Sequence, residues 1–145
     1  MDTVIKGFLE RNLPPFQDNI IVSVEPREKD YYAITSNDGK LYVKANNCIS
    51  AFHGIYEYLK KYCHVQFSWC ANAEIKIDRL VMFDGEFSKT IEQKYRVYMN
   101  YCTLDYSMCW WGFDRWEKEI DFMAMNGINM PLAVVGTCLL YTSPS

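Results

Sequence analysis

The sequence predicts an α/β protein: a small N-terminal α+β domain followed by the opening β-α-β of a larger parallel fold. Three observations predict it. The first 80 or so residues alternate helical and strand-like apolar patterns with turn residues between them. From Tyr95 to Val135 a strand-like run, an aromatic loop, a helix and a second apolar strand follow in direct succession. Half of the 145 residues are apolar and 16% are aromatic, which is ample material for a core.

Taken in order, Val4, Ile5, Phe8 and Leu9 fall at helical spacing, and Pro14-Pro15 stops that helix. Ile20 to Val24 is strand-like. Tyr32 to Thr35 and Lys40 to Lys44 flank Asn37-Asp38-Gly39, residues that tolerate positive φ, so a hairpin is expected. Asn47 can cap a helix whose apolar residues Ile49, Phe52, Ile55, Tyr56, Leu59 and Tyr62 trace one face. Short strands around Val65–Phe67 and Glu74–Ile77 are expected to finish the unit. Asp78 to Gln93 is more polar and irregular and reads as a connection.

The strand Tyr95–Tyr101 opens the second region. Asp114 followed three residues later by Glu117 is a capping-box variant. Trp116, Ile120, Met123 and Ala124 then give a buried stripe, and Asn126-Gly127 supplies the C-terminal stop. Ile128 to Val135 is apolar on both faces, as a buried parallel strand should be. Pro131 lacks a ladder donor and suggests a bulge or a strand end. The expected division is 1–80 for the N-terminal domain, 81–93 for a linker and 94–137 for the start of the second domain. The last eight residues, Cys138 to Ser145, break the pattern and resemble a translated sequencing adapter, so 138–145 is expected to be a non-native tail on a fragment.

The net charge of −3 gives no basic footprint, which argues against nucleic acid as a partner. No apolar run reaches the roughly 20 residues that span a bilayer. No secretory leader is visible. None of the six cysteines forms a CxxC pair and the only histidines are His53 and His64, so no metal site is expected. The cysteines read as mostly reduced and structural, and the histidines as packing or surface residues. Nucleotide-type glycine loops and nucleophile elbows are absent from the sequence.

The candidate chemistry lies at the turn after the Tyr95 strand, because the C-terminal ends of parallel strands are where α/β enzymes place their sites. Asn100 and Cys102 alternate with Tyr101 and so share one side of a strand, where Asn offers a donor and an acceptor and Cys a small wall. Structural packing is the default alternative for both. Tyr106, Trp110 and Trp111 follow, with flat faces suited to sugar rings, although Trp111 and Trp116 read better as helix packing. Asp105 reads as a cap or a solvated group. Glu117, Lys118, Glu119 and Asp121 read as helix-surface or capping charges.

The run YMNYCT…YS…CWWGFDRWEKEIDFMAMNGINMPLAVVGT resembles the start of the catalytic barrel in the α-N-acetylglucosaminidases of glycoside hydrolase family 89. The stretch GKLYVKANNCISAFHGIYEYLKKYCHVQFSW is similar to the small domain that precedes that barrel, so the resemblance runs from Asp2 to Thr137. It implies the first β-α-β of a truncated (β/α)₈ TIM barrel. It also implies a retaining exo-glycosidase that removes terminal α-linked N-acetylglucosamine from glycans, with no metal or organic cofactor. Family members act on heparan sulfate in animals and on host glycans in bacteria, and are usually secreted or lysosomal. The family's N-x-C turn, which lines the sugar subsite, matches Asn100 and Cys102. Gly136-Thr137 matches the loop after the second barrel strand, also near that subsite. Both catalytic glutamates of the family lie on later strands, so no catalytic residue is expected here and the fragment is expected to be inactive. The competing expectation is a non-catalytic carbohydrate-binding or interaction module with Tyr106 and Trp110 as its platform.

Overall fold

The computed structural model describes residues 2–68, 75–99, 108 and 110–132. Helix α1 spans Asp2–Asn12 and gives way to a 3-10 turn at Pro14–Asn19. Strands β1 (Ile20–Val24), β2 (Asp30–Asn37) and β3 (Lys40–Ala45) lead to helix α2 (Cys48–Tyr62). Strand β4 (Glu86–Ile91) follows, then β5 (Val97–Tyr98), helix α3 (Phe113–Met125) and β6 (Met130–Pro131).

The first four strands form one sheet in the order β1-β3-β2-β4. β1 runs parallel to β3, while β2 is antiparallel to both β3 and β4. The β2–β3 connection is a two-residue turn at Asp38-Gly39, both with positive φ, as the right-handed twist of a hairpin demands. Strict alternation along β3 sends Leu41, Val43 and Ala45 into the core and Tyr42 and Lys44 out. Those inward residues share one core with Phe52, Ile55 and Leu59 of α2, Phe8 of α1, and Leu13 just after it. Phe8 stacks on Phe52 with ring centroids 4.0 Å apart, and this contact seats α1 against α2. On the other face, the Arg27 guanidinium covers the Tyr31 ring at 3.7 Å.

The expected cap of α2 is present: the Asn47 carbonyl oxygen of the side chain accepts from the Ser50 N–H at 2.8 Å. Gly54 is required by packing. A Cβ there would sit 2.7 Å from Cγ of the buried Tyr32, so the helix approaches the sheet as closely as it does only through glycine.

Several expectations are corrected. Residues Val65–Phe67 form no strand; the Tyr56 hydroxyl replaces a ladder by accepting from the Phe67 N–H at 2.9 Å and donating to its carbonyl at 3.2 Å. Residues 75–77 are likewise outside any strand, and Glu74 lies outside the described residues. The 81–93 connection is not irregular, because it contains β4. That strand lies at the sheet edge, pairs only with β2 and is mostly exposed, with Phe87 packed against Tyr32 and Tyr62. Its Ser88, Lys89 and Thr90 gave it a polar look that edge strands commonly have.

In the second region β5 and β6 pair in parallel, Val97 with Met130 and Tyr98 with Pro131, on either side of α3. The β-α-β order therefore stands. Pro131 is accommodated because the Met130 and Leu132 N–H groups face β5, bonding to the carbonyls of Arg96 and Tyr98, while the Pro131 nitrogen faces away. Helix α3 ends in a Schellman motif: the Gly127 N–H donates to the Ala124 carbonyl and the Ile128 N–H to that of Met123. The Gly127 φ of 71° allows it. The helix start differs from expectation, since Gly112 is the N-cap and Asp114 and Glu117 form no capping box. The stripe differs too. Ile120 is exposed and Trp116 only half-buried, while Glu119, Asp121, Met123 and Met125 are buried. The helix is covered from two sides, by α1 and α2 as well as by β5, so a single-stripe reading misplaces its buried face.

Polar side chains join the two regions. Asp121 accepts from Arg11 Nε at 2.9 Å and Nη2 at 2.7 Å, and from Asn12 Nδ2 at 2.7 Å. His53 Nδ1 lies 2.9 Å from the Met125 carbonyl, one of the oxygens a helix end leaves unpaired, and donates to it. Burial pushes the His53 imidazolium below its ordinary value, against the opposing effect of that carbonyl. The third link is built on Arg96. Its Nη2 donates to Asp30 Oδ2 at 2.5 Å, its Nη1 to the Gln93 carbonyl at 2.7 Å, and its Nε to the Gly127 carbonyl. Asp30 Oδ1 also accepts from Asn46 and Asn47 at 2.9 and 2.7 Å. Burial raises the Asp30 carboxyl, but bonds from Asn46, Arg96 and Asn47 together outweigh it and hold the group below its ordinary value.

Arg96 and Asp30 are only 13% and 19% exposed, so Arg96→Met strands a largely desolvated carboxylate and is expected to cost about 3 kcal/mol. Removing the exposed Lys29–Glu92 pair by Lys29→Met is expected to cost less than about 1 kcal/mol. Urea unfolding measures both, and equal costs would refute the assignment. Because the Asp30 value is depressed, its stabilisation is complete above pH 3.8 and is lost as the pH falls further. Separately, Gly54→Ala is expected to lower stability by about 1–3 kcal/mol through its clash with Tyr32, read from the same urea midpoints.

Candidate functional site

The parallel pairing of β5 and β6 fixes which end of the molecule bears a site. Helix α3 starts where β5 has ended, so the turn Trp110-Trp111-Gly112 lies at the C-terminal end of the strands. Arg96, Gly127 and Asn129 lie at the other end.

Of the sequence-predicted substrate residues, only Trp110 falls among the described residues. Asn100, Cys102, Tyr106, Gly136 and Thr137 lie outside them, as does Asp105. The expected strand Tyr95–Tyr101 is described only as far as Met99, and the Asn100-Tyr101-Cys102 alternation lies outside the described residues. Among the described residues β5 pairs with β6 at Val97 and Tyr98, the Tyr98 ring packs 6.1 Å from Phe122 of α3, and Met99 has a φ of 74°.

Trp110 is 94% exposed. Its neighbour Trp111 is held. The Trp111 N–H donates to the Met108 carbonyl at 3.1 Å, its ring meets Trp116 edge-on at 5.3 Å, and the Arg115 guanidinium lies 3.9 Å over it. Trp111 therefore serves packing, as its sequence position suggested, and Trp110 is left as the presented ring.

Behind Arg115 stands Glu119, which was expected to be a surface charge and is instead 0% exposed. Arg115 Nη1 lies 3.5 Å from Glu119 Oε2, the Tyr98 hydroxyl bonds to the same carboxyl, and Oε1 has no hydrogen-bond partner among the described residues. Burial pushes the Glu119 carboxyl above its ordinary value, with Tyr98 and Arg115 opposing. The sequence did carry a signal for the pair: Arg115 and Glu119 are spaced i, i+4 on one face of the helix.

A groove of about 610 Å³ between α2 and α3, lined by Tyr56, Lys60, His64 and Phe122 among others, contains none of the predicted site residues. Among the described residues no group of three or more His, Cys, Asp or Glu could hold a metal ion. No described helix is long and apolar enough to cross a membrane.

The N-terminal domain model of α-N-acetylglucosaminidase matches residues 3–80, and the TIM-barrel domain model of the same family matches residues 96–143, reaching into the 138–145 tail. The human α-N-acetylglucosaminidase is 38% identical over 95 residues, which is 65% of this chain and 13% of that protein. The family 89 glycoside hydrolase of Clostridium perfringens, solved with 2-acetamido-1,2-dideoxynojirmycin, superposes with a TM-score of 0.85 at 28% identity, covering 92% of this chain and 16% of that one. A form of the Clostridium perfringens enzyme with two Glu-to-Gln substitutions, solved with its substrate GlcNAc-α-1,4-galactose, gives a TM-score of 0.82 at 27% identity, covering 89% and 15%. This chain belongs to the α-N-acetylglucosaminidase family, glycoside hydrolase family 89, and comprises its N-terminal domain and the start of its TIM-barrel domain.

Proposed function

We propose that the protein to which this chain contributes is a retaining exo-glycosidase that hydrolyses terminal α-linked N-acetylglucosamine from glycans. The observation that carries the reading is the succession of both family domains along one chain, at a TM-score of 0.85 to an enzyme bound to an amino-sugar analogue. Because the chain spans 13% of the human relative, the activity belongs to the whole protein.

In a retaining mechanism one carboxylate attacks the anomeric carbon while a second carboxyl group protonates the leaving oxygen; water then releases the sugar. The two groups must stand about 5–5.5 Å apart across the scissile bond. Two glutamates exchanged for glutamines in the substrate complex of the bacterial relative are consistent with such a pair. Neither Glu117 nor Glu119 suits the role here: Glu117 faces Arg11 at 3.5 Å on the side of the helix, and Glu119 is sealed beneath Arg115. We assign Asn100, Cys102, Gly136 and Thr137 to the wall of the sugar pocket, with Tyr106 and Trp110 as flanking rings. No cofactor enters the scheme. The partner is a glycan ending in α-N-acetylglucosamine, and export to a secreted or lysosomal compartment fits such a substrate.

The test is release of nitrophenol from an aryl α-N-acetylglucosaminide, with product anomer read by NMR. The full-length protein is expected to turn over and to release the α-anomer first, and the 145-residue chain is expected to release none. Turnover by the 145-residue chain would overturn the assignment of the catalytic pair to later strands. A full-length protein that binds the sugar without hydrolysing it would instead favour a carbohydrate-binding module.

A further inference from the structure

We infer that Glu119 and Arg115 are positioning residues for the sugar site, acting through Trp111 on the turn that presents Trp110. The inference rests on the glycosidase reading and extends it to residues of this chain that touch no substrate.

The geometry is a three-step stack. Glu119 is fully buried in α3 and is tied from the strand side by the Tyr98 hydroxyl, so its carboxyl is fixed with respect to both β5 and the helix. Arg115, one turn closer to the helix start, has Nη1 3.5 Å from that carboxyl. Its guanidinium lies 3.9 Å from the centre of the Trp111 ring, a cation–π contact in which a planar, weakly hydrated guanidinium can also stack. Trp111 is further fixed by Trp116 at 5.3 Å and by its backbone bond to Met108. The next ring toward the strand ends is Trp110, 94% exposed at the mouth of the β-α unit.

A surface ion pair would gain little from such a position, and a purely stabilising one would not need a stacked ring. Burying a carboxyl whose Oε1 has no partner among the described residues is costly. That cost is intelligible where the group's service is to orient a guanidinium and, through it, an aromatic platform. Such a platform contacts the sugar equally in the ground state and the transition state, since stacking on a ring face does not follow charge at the anomeric carbon. Loss of its alignment should therefore weaken substrate binding and leave the chemical step alone.

The experiment is steady-state kinetics of the full-length glycosidase on an aryl α-N-acetylglucosaminide, for Arg115→Ala, Arg115→Lys and Glu119→Gln. Arg115→Ala is expected to raise KM about fivefold to tenfold with kcat within about twofold of the parent. Glu119→Gln should raise KM about threefold, because the guanidinium keeps a hydrogen-bond partner but that partner no longer carries the opposing charge. Arg115→Lys retains charge but not the planar stack, and should resemble Arg115→Ala rather than the parent. Circular dichroism and thermal midpoints establish that each variant is folded; should Glu119→Gln fail to fold, the Arg115 pair decides. Unchanged KM in folded Arg115→Ala, or a fall in kcat at constant KM, overturns the positioning role. An inactive parent protein would refute the glycosidase reading itself, which is a separate outcome.

Discussion

One guanidinium holds the two halves of this chain in register. Arg96 precedes β5, and its donors reach the carbonyls of Gln93 and Gly127 and the carboxylate of Asp30. Asp30 opens β2 and also receives Asn46 and Asn47. Asn47 in turn caps α2. A strand of the N-terminal sheet, the cap of its main helix, the first barrel strand and the turn after α3 thus converge on one ion pair. Arginine's fixed fork spreads its donors over three nitrogens, which suits partners set this far apart; lysine's three donors all radiate from a single nitrogen. If Arg96 moved, the start of β5 and its alignment with β6 would move with it.

The remaining links divide the labour along α3. Arg11 and Asn12 grip Asp121 in its second half, and His53 closes the Met125 carbonyl at its end. All of these lie away from the mouth. Toward the mouth, the first turns of α3 are organised by their own side chains, Trp111 on Arg115 on Glu119. This matches the general division of (β/α)₈ proteins, in which the N-terminal ends of the strands carry stability and the C-terminal ends carry chemistry. The N-terminal domain is therefore more than an appendage: it supplies the polar partners that the first helix of the barrel needs.

Much of the fold was legible because local signals agreed with one another. Leu41, Val43 and Ala45 alternate with lysine and tyrosine, Asp38-Gly39 marks the hairpin, Asn47 marks a helix start, and Asn126-Gly127 marks a helix end. Two kinds of feature were not legible. β4 was missed since an edge strand with Ser88, Lys89 and Thr90 looks like a loop until its partner β2 is known. Asp121 and Glu119 were misread because a buried charge is recognisable only through its partner, and Arg11 is 110 residues away from Asp121. Trp110, singled out for its aromatic face, is exposed, while the contacts of Arg115 and Glu119 were hidden among ordinary helix charges. Asn100 and Cys102, placed on one side by their alternation with Tyr101, lie outside the described residues.

If the Arg96, Asp121 and His53 links make one cooperative unit of the N-terminal sheet and the first β-α-β, opening free energies should report it. Native-state hydrogen exchange on this chain is the direct measurement. The slowest amides of α3, near Met123 to Asn126, should open with the same free energy and the same denaturant dependence as those of β2 and β3. Exchange of α3 through a separate opening with a much smaller free energy, leaving the sheet protected, would contradict the account.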